Sequence, residues 1–402
     1  MASASIDHML SLIIFIAALF IFIGMFSNTI QNGVAYQQHT AMSTKTSDLL
    51  DTILLNPGLP PNWGQTDAAP VGFGLQDANL SQYKLCSLSA MRLTCGGPLV
   101  SYPRTGGYFN NLSAGYGGYL LTPTDKTVDY LTASQQLGIN GTYGFQLTLT
   151  PTITVTIQKI STGAPLQFSV AASGTGFVFA NANVTYSLIV VNQDSNIYPS
   201  YTIISGENST DAAGTLVIPP FTGIDGESRS YALIVYTYLY GLKGAGYYVH
   251  VPASSPAVMP LVDSFQNRNI TLAHSDTVGA QASSPASQLS YNASFAIVTE
   301  EYSLRQVILD QPTGIVGGSE PSYSSVQVPD NSGILIVAYK NTASGQCGIV
   351  LMPWGLGSLA FPVTFGGNAN GYDWVTTDIR QVTIDGIAYQ AKLSLWSLQG
   401  GS

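Results

Sequence analysis

Residues 9–26 read MLSLIIFIAALFIFIGMF, eighteen consecutive residues without a charged side chain. At about 1.5 Å per residue, a helix of this length nearly crosses a hydrocarbon layer of about 30 Å. A cleaved signal peptide would normally show basic residues before the apolar run and a small-residue cleavage site soon after it. Here the first Lys or Arg is Lys45, and the cleavage candidate Gly33-Val34-Ala35 is distant, so the sequence predicts a retained helix.

The apolar pattern continues beyond this run and indicates one long helix. No proline occurs before Pro57, and residues 56–61, NPGLPP, would end a helix sharply. We therefore expect a helix from about residue 6 to residue 55, roughly 75 Å long. Its second half is amphipathic and should therefore leave the bilayer and pack against something. The predicted apolar stripe consists of Ile30, Val34, Ala41, Leu49, Leu50, Ile53 and Leu54.

Two interpretations of this helix remain open. It is either the stalk of a single-pass membrane protein or a pilin-like helix whose apolar half packs among like helices in a filament core. Periodicity does not distinguish them. The N-terminal flank carries Asp7 and no Lys or Arg, so the positive-inside rule gives no orientation.

The composition predicts a neutral surface. Only 9% of the residues are charged, and the net charge is −9, whereas about a quarter of the residues are charged in typical soluble domains. The thirteen Lys and Arg residues are spread thinly and do not form the basic stripe that phosphate neutralisation requires. We therefore expect no nucleic-acid partner.

Seven Asn-x-Ser/Thr sequons follow the helix, against roughly four expected by chance from the Ser and Thr content. Their position predicts an extracellular body with possible attached glycans. The predicted N-glycosylation sites are Asn79, Asn111, Asn140, Asn183, Asn208, Asn269 and Asn292.

The chain has three cysteines. Cys86 and Cys95 lie nine apart in a loop-like stretch, which predicts a local disulfide in an oxidising compartment. Cys347 begins an apolar run, and we interpret it as a small buried hydrophobic residue.

Beyond the helix the sequence predicts a mainly β body. Residues 57–151 form a mixed connector domain with one short helix near residues 131–137. Residues 152–256 carry β-branched and aromatic runs between turns, which favours an immunoglobulin-like β-sandwich. Residues 257–402 repeat this pattern and predict a second antiparallel sandwich, with Asp385-Gly386 as a tight hairpin turn. The full domain scheme is thus 1–56, 57–151, 152–256 and 257–402.

Motifs for catalysis and cofactors are missing. The four histidines lack the paired spacing of a zinc site, and the sequence has no phosphate-binding glycine loop, nucleophile elbow or calcium loop. The consecutive residues His274, Ser275 and Asp276 cannot form a catalytic triad, which is assembled from distant segments. We expect no enzymatic activity, no metal and no cofactor.

Several segments carry a family resemblance. Residues 48–58, DLLDTILLNPG, together with 62–64, NWG, and 73–77, FGLQD, follow a hydrophobic helix, and 137–145 read LGINGTYGF. In these features the first 150 or so residues resemble archaeal exported surface proteins with type IV pilin-like N-terminal helices. The resemblance implies a structural subunit of a pilus-like extracellular filament, a homopolymer whose helices insert in the membrane before assembly. The alternative is a membrane-anchored surface glycoprotein or adhesin that binds a sugar or a protein.

Overall fold

A computed structural model describes residues 2–79, 82–93, 99–102, 106–111, 118–252, 256–279, 287–299, 301–318, 323–372 and 374–398, with side chains placed from residue 9 onward. The predicted long helix is confirmed as α1 (Ala2–Leu55). The predicted short helix is confirmed as α3 (Tyr130–Gln136), which follows α2 (Ser87–Met91) and is capped by the Asp129 carboxylate. The 3-10 turns are Trp63–Gln65, Thr124–Lys126, Ser275–Thr277 and Leu356–Ser358.

Strands hold 46% of the residues and helices 20%, which confirms the mainly β class with a long N-terminal helix. The strands are, in chain order, β1 (Leu99–Tyr102), β2 (Gly107–Asn111), β3 (Leu121–Pro123), β4 (Tyr143–Pro151), β5 (Ile153–Lys159), β6 (Phe168–Gly174), β7 (Phe177–Val178), β8 (Asn183–Val191), β9 (Tyr201–Ser209), β10 (Thr215–Val217), β11 (Tyr231–Leu239), β12 (Leu242–His250), β13 (Val258–Ser264), β14 (Asn269–His274), β15 (Gln288–Val298), β16 (Leu304–Val307), β17 (Thr313–Gly317), β18 (Ser324–Gln327), β19 (Gly333–Asn341), β20 (Cys347–Trp354), β21 (Val363–Gly366), β22 (Val375–Ile384) and β23 (Ile387–Ser397).

These strands form four sheets. Sheet I has the order β1-β2-β3-β13-β14-β18, and sheet II the order β10-β6-β5-β12-β11-β8-β9 with β7 beside β6. Sheet III is β16-β15-β19-β20 with β17 beside β15, and sheet IV is β21-β4-β23-β22. Between neighbouring strands of these sheets the pairing is antiparallel, except for single parallel residue pairs that join β5 to β12 and β3 to β13.

The sheets cross two of the predicted domain boundaries. Sheet II is built within residues 153–250, inside the predicted immunoglobulin-like segment. Sheets I and IV each combine strands from segment 57–151 with strands from segment 257–402. The boundaries stay a prediction, but the first and last segments of the body share two sheets and fold together.

Local sequence patterns account for single elements of the body. In β5, Ile153 is buried while Thr154 and Thr156 are exposed, as the predicted alternation requires. The predicted hairpin turn joins β22 to β23, with φ of 50° at Asp385 and 79° at Gly386. Positive φ at both central residues is the geometry of the two-residue hairpin turn that Asp-Gly favours.

Sheet II curves around its own core. The rings of Phe168 on β6 and Tyr231 on β11 lie 5.9 Å apart, although two strands separate β6 from β11 in the sheet. The ring centres of Phe221 and Phe168 are 6.4 Å apart, and Leu188 and Leu233 are fully buried in the same apolar cluster. Two parts of the sheet thus face each other across one apolar core, which is how the layers of a β-sandwich pack.

A buried arginine ties together segments of the connector and contacts one aromatic ring of the C-terminal part of the body. Arg92 has no exposed surface, and its guanidinium lies 5.2 Å from the ring centre of Trp63 and 5.3 Å from that of Phe265. Burial lowers the pKa of Arg92 to about 10, so the side chain stays charged at neutral pH. The guanidinium donates hydrogen bonds to four backbone carbonyl oxygens, those of Trp63, Thr66, Ala68 and Lys126.

A neighbouring aspartate strengthens the same junction. The Asp67 carboxylate accepts hydrogen bonds from Ser264 Oγ at 2.6 Å and from the Phe265 backbone N at 2.8 Å. Lys126 Nζ lies 3.7 Å from it. Burial acts to raise the pKa of Asp67, but these hydrogen bonds and the lysine lower it below its usual value. Asp67 is therefore ionised at neutral pH and links the connector to the turn after β13.

Candidate functional site: the N-terminal helix and its dock

The first part of α1 stands free of the body. The helix is long and apolar enough to cross a membrane, and none of its apolar stretch is buried in the protein. Large side chains such as Phe20 and Met25 are about two-thirds exposed, at 68% and 67%. Every residue from 9 to 41 is exposed except Ala35, which is half-buried. Because the segment 9–26 is apolar on all sides, water is a poor solvent for every face of it.

The last part of α1 is docked on the body. Packing begins at Met42 and continues along one face of the helix toward β22 and β23 of sheet IV. The predicted packing of the amphipathic half is thus confirmed for residues 42–55. The apolar residues buried in this dock are Met42, Leu49, Leu50, Ile53 and Leu54.

The body does not cover the first three members of the predicted stripe. Ile30 and Val34 are 51% and 48% exposed, and Ala41 is also exposed. With a rotation of about 100° per residue, these three residues point roughly 150° away from the centre of the docked face. The sequence spacings of three, four and seven residues therefore placed residues from two different faces of the helix in one predicted stripe.

Polar contacts fix the dock beside its apolar stripe. Thr46 Oγ1 and Thr376 Oγ1 are hydrogen bonded at 2.6 Å in a buried position. Arg380 of β22 donates to Ser47 Oγ at 3.0 Å, and its Nε lies 3.5 Å from the Asp51 carboxylate. These contacts are specific for one rotation of the helix, since each joins a particular face of α1 to β22.

The C-terminal end of α1 is held by backbone hydrogen bonds. The carbonyl oxygen of Ile53 accepts from Leu75 N at 2.8 Å, and that of Asn56 accepts from Gln76 N at 3.1 Å. Gly58 adopts φ of 79°, and its N donates to the Asn56 side chain at 2.9 Å. The body thereby satisfies carbonyl groups that a helix end leaves unpaired. The helix direction relative to the body is set at this end.

An aromatic contact marks the point where α1 leaves the body. The rings of His39 and Trp374 meet edge to face with centres 6.1 Å apart, and Trp374 is 56% exposed. Thr376, Arg380 and Trp374 were not recognised in the sequence as partners of the helix. The alternating pattern of β22 predicts a strand but contains no signal for the element that covers it.

The predicted glycosylation sites differ in exposure. Asn79, Asn140, Asn183 and Asn208 are exposed, as a glycan acceptor requires. Asn111, Asn269 and Asn292 are half-buried, and the Asn292 side-chain nitrogen donates to the Pro199 carbonyl oxygen at 3.0 Å. A glycan attached to Asn292 would have to displace that hydrogen bond. The seven sites stay predictions.

The predicted disulfide also stays a prediction, because Cys95 lies outside the described residues. Cys86 is half-buried, and burial raises the pKa of its thiol. Cys347 is half-buried rather than fully buried, and its thiol lies 3.7 Å from the Gly345 carbonyl oxygen. Burial raises the pKa of this thiol as well, so it stays protonated at neutral pH.

The consecutive residues His274, Ser275 and Asp276 do not have the geometry of a catalytic triad. Within the ranges that the structure describes, no group of three His, Cys, Asp or Glu side chains could hold a metal ion. His274 Nδ1 accepts a hydrogen bond from the backbone N of Asp276 at 3.2 Å, so this ring nitrogen serves the local turn. Ser275 Oγ lies 3.3 Å from the Asp276 carboxylate rather than against the histidine.

Comparison with known proteins gives weak similarities only. No protein-family model matches the chain, and no curated protein matches its sequence. Salmonella alpha-2-macroglobulin reacted with methylamine is 13% identical with a TM-score of 0.20, over 57% of this chain and 17% of that chain. Escherichia coli alpha-2-macroglobulin in its native conformation is 11% identical with a TM-score of 0.22, over 72% and 22%. Red sea bream transglutaminase is 10% identical with a TM-score of 0.17, over 55% and 32%.

The chain thus spans less than a third of the length of each of these structures. At such scores the likeness carries no argument about activity, ligands or partners.

Replacing Leu49 and Ile53 with Ser tests the dock. Each side chain is buried, so each substitution is expected to lower the free energy of unfolding by about 2–5 kcal/mol. Denaturant unfolding of the detergent-solubilised chain, followed by tryptophan fluorescence, measures this change. The matched control is Val34→Ser on the free part of the helix, for which we expect no change in body stability. Equal stability of all three variants would contradict the docked geometry.

Proposed function

We propose that this chain is a non-enzymatic structural subunit of an extracellular, pilus-like filament. In this proposal the apolar halves of many α1 helices pack together in the filament core, and the β body faces outward. Membrane insertion of α1 holds the subunit before assembly. The support is the division of one continuous helix into a docked end and an entirely uncovered apolar end.

The segment between these two ends favours a packed helix over a solvated stalk. Residues 27–41 remain helical and, apart from the half-buried Ala35, exposed, although they include Asn28, Asn32 and Gly33, which are poor helix formers in water. No Asp, Glu, Lys or Arg occurs between Asp7 and Lys45, so no ion pair can support this stretch. A polar helix without such pairs gains its stability from neighbouring elements. Copies of the same helix would supply them.

A single-pass membrane-anchored surface protein is the second candidate. The observation that favours it is the length of the apolar run, since eighteen residues nearly match the hydrocarbon thickness. In that case the helix would meet lipid only, and the body could bind a sugar or a protein ligand. Both candidates place the β body and its four exposed sequons outside the cell.

Electron microscopy of native surface preparations, with mass spectrometry of the same material, tests the proposal. We expect filaments in which this chain is the main component and which persist after mild detergent extraction. Dispersed monomers extracted by the same detergent, with no filaments on the surface, would overturn the filament and support the anchored protein.

A further inference from the structure

A cavity of about 260 Å³ lies where three parts of the body meet. The connector contributes Asp77 and residues 84–88, and the loop before β19 contributes residues 330–332. The β22–β23 hairpin contributes Thr383 and its Asp385-Gly386 turn. The described lining includes no residue of α1, so the cavity is separate from the helix and its dock.

Backbone hydrogen bonds fix the walls of this cavity. Leu85 N donates to the Thr383 carbonyl oxygen at 3.0 Å, and Thr383 N donates to the Tyr83 carbonyl oxygen at 2.9 Å. The connector thereby continues the edge of sheet IV beside β22. Asp77 N donates to the Lys84 carbonyl oxygen at 3.0 Å, which ties two ends of the same connector segment together. The lining is therefore already formed, as in most sites for small molecules.

Asp385 presents a fixed carboxylate in the cavity. Its Oδ2 accepts a hydrogen bond from the Gly357 backbone N at 3.2 Å, and the hydroxyl groups of Ser332 and Ser87 also donate to the carboxylate. Burial raises the pKa of Asp385 in spite of these hydrogen bonds, because protein atoms surround the carboxylate. The residue still has solvent-exposed surface. Since a carboxylate offers about four acceptor positions, it can accept a further hydrogen bond from a ligand.

The rest of the lining supplies donors, acceptors and apolar groups. Lys84 is an exposed donor, the Asp77 carboxylate is an acceptor, and the Asn331 side-chain amide is both. Leu85 and Trp354 form the apolar part. An anion would meet the carboxylates, and in the described ranges no group of three His, Cys, Asp or Glu side chains could hold a metal ion. The mixed lining suits hydroxyl groups, because each hydroxyl both donates and accepts.

We propose that this cavity binds a single neutral sugar ring, such as the terminal unit of a glycan. Its volume is just below the range of about 300–1,000 Å³ that holds drug-sized ligands, which fits one ring rather than a chain. The hydroxyl groups of the ring hydrogen bond to Asp77, Asp385 and Asn331, and its C–H groups face Leu85 and Trp354. The inference concerns the body alone and goes beyond the proposed assembly, since it holds whether α1 packs against like helices or against lipid.

Ligand-observed NMR on the full chain, solubilised in a detergent without a sugar headgroup, tests the cavity. The neutral probes are methyl α-glucoside, methyl α-galactoside and methyl α-mannoside, and glucuronate and glucosamine are the anionic and cationic counterparts. We expect at least one neutral probe to bind with a Kd on the order of 1 mM, as for weak ligands of this size. Glucuronate should bind at least ~10-fold more weakly, because like charges in contact oppose binding.

Two substitutions locate the bound sugar. Asp385→Asn keeps the turn, since Asn-Gly also favours positive φ, but it replaces a charged acceptor by a weaker neutral one, so the Kd should rise at least ~10-fold. Asn331→Ala removes an exposed side chain from the lining and should raise the Kd about 5-fold without loss of stability. Asp310→Asn, at an exposed position outside the cavity, is the matched control and should leave the Kd unchanged.

Three results would overturn this inference and leave the proposed assembly intact. The first is the absence of saturable binding for all three neutral probes. The second is binding of glucosamine alone, which would identify a site for an ammonium group instead. The third is an unchanged Kd in both cavity variants, which would place the bound sugar elsewhere on the chain.

Discussion

Replacing Ile16 with Lys is expected to abolish assembly and to reduce membrane recovery of the chain by about 100-fold. A lysine at the centre of a membrane helix costs about 2.5–3.5 kcal/mol, and an unpaired charge buried among apolar helices also costs several kcal/mol. Each 1.4 kcal/mol corresponds to about a tenfold change in population. Fractionation of cells and electron micrographs of their surface measure the two effects. Phe20→Lys should behave in the same way.

The body should be unaffected by this change. Ile16 lies in the free part of α1, far from the dock that begins at Met42, so the unfolding midpoint of the detergent-solubilised chain should stay constant. Ile308→Lys is the control for an added charge, because Ile308 is 85% exposed on the body. Normal filaments and normal membrane recovery of Ile16→Lys would show that the apolar half meets neither lipid nor like helices.

Replacing Arg92 with Met is expected to lower the free energy of unfolding by about 3–5 kcal/mol, the largest effect of a single body residue that we predict. Methionine keeps much of the volume between Trp63 and Phe265 but leaves four carbonyl oxygens without their donor. A lysine should restore little, since one ammonium group cannot match the planar fork of a guanidinium. Chemical denaturation measures these losses.

Arg305→Met is the matched control for this substitution. Arg305 lies exposed on β16, and removal of an exposed arginine usually changes stability by less than about 0.5 kcal/mol. An ordinary hydrogen bond contributes about 1 kcal/mol to stability. If Arg92→Met lowers the free energy of unfolding by less than this amount, the four hydrogen bonds of the buried guanidinium do not stabilise the connector.

The sequence by itself determined those elements that depend only on a few neighbouring residues. The run at residues 9–26 is helical because uncharged apolar residues continue without a breaker, and α1 ends where NPGLPP begins. Asp385-Gly386 makes a two-residue turn because both residues tolerate positive φ. The alternation of Ile and Thr in β5 shows which side is buried. Each of these signals lies within a few neighbouring residues.

Only the tertiary structure decided which elements meet. β4 lies between β21 and β23, whose residues are more than 200 positions away, and no local pattern encodes that pairing. Arg92 in Ala90-Met91-Arg92-Leu93 looks like an ordinary surface residue in the sequence, yet it is fully buried. Its burial depends on aromatic rings and carbonyl groups from distant segments.

In the candidate site, the sequence determined some properties of α1 and the tertiary structure determined others. The sequence determined that α1 is long, uncharged between Asp7 and Lys45, and partly amphipathic, because these properties follow from residue type and helical period. It did not determine that Ile30 and Val34 are exposed while Leu50 and Ile53 are buried against the body. Periodicity defines faces relative to the helix axis, whereas the face that is buried depends on where the body lies. That position is set by the packing of sheet IV and by the hydrogen bonds that hold the end of the helix.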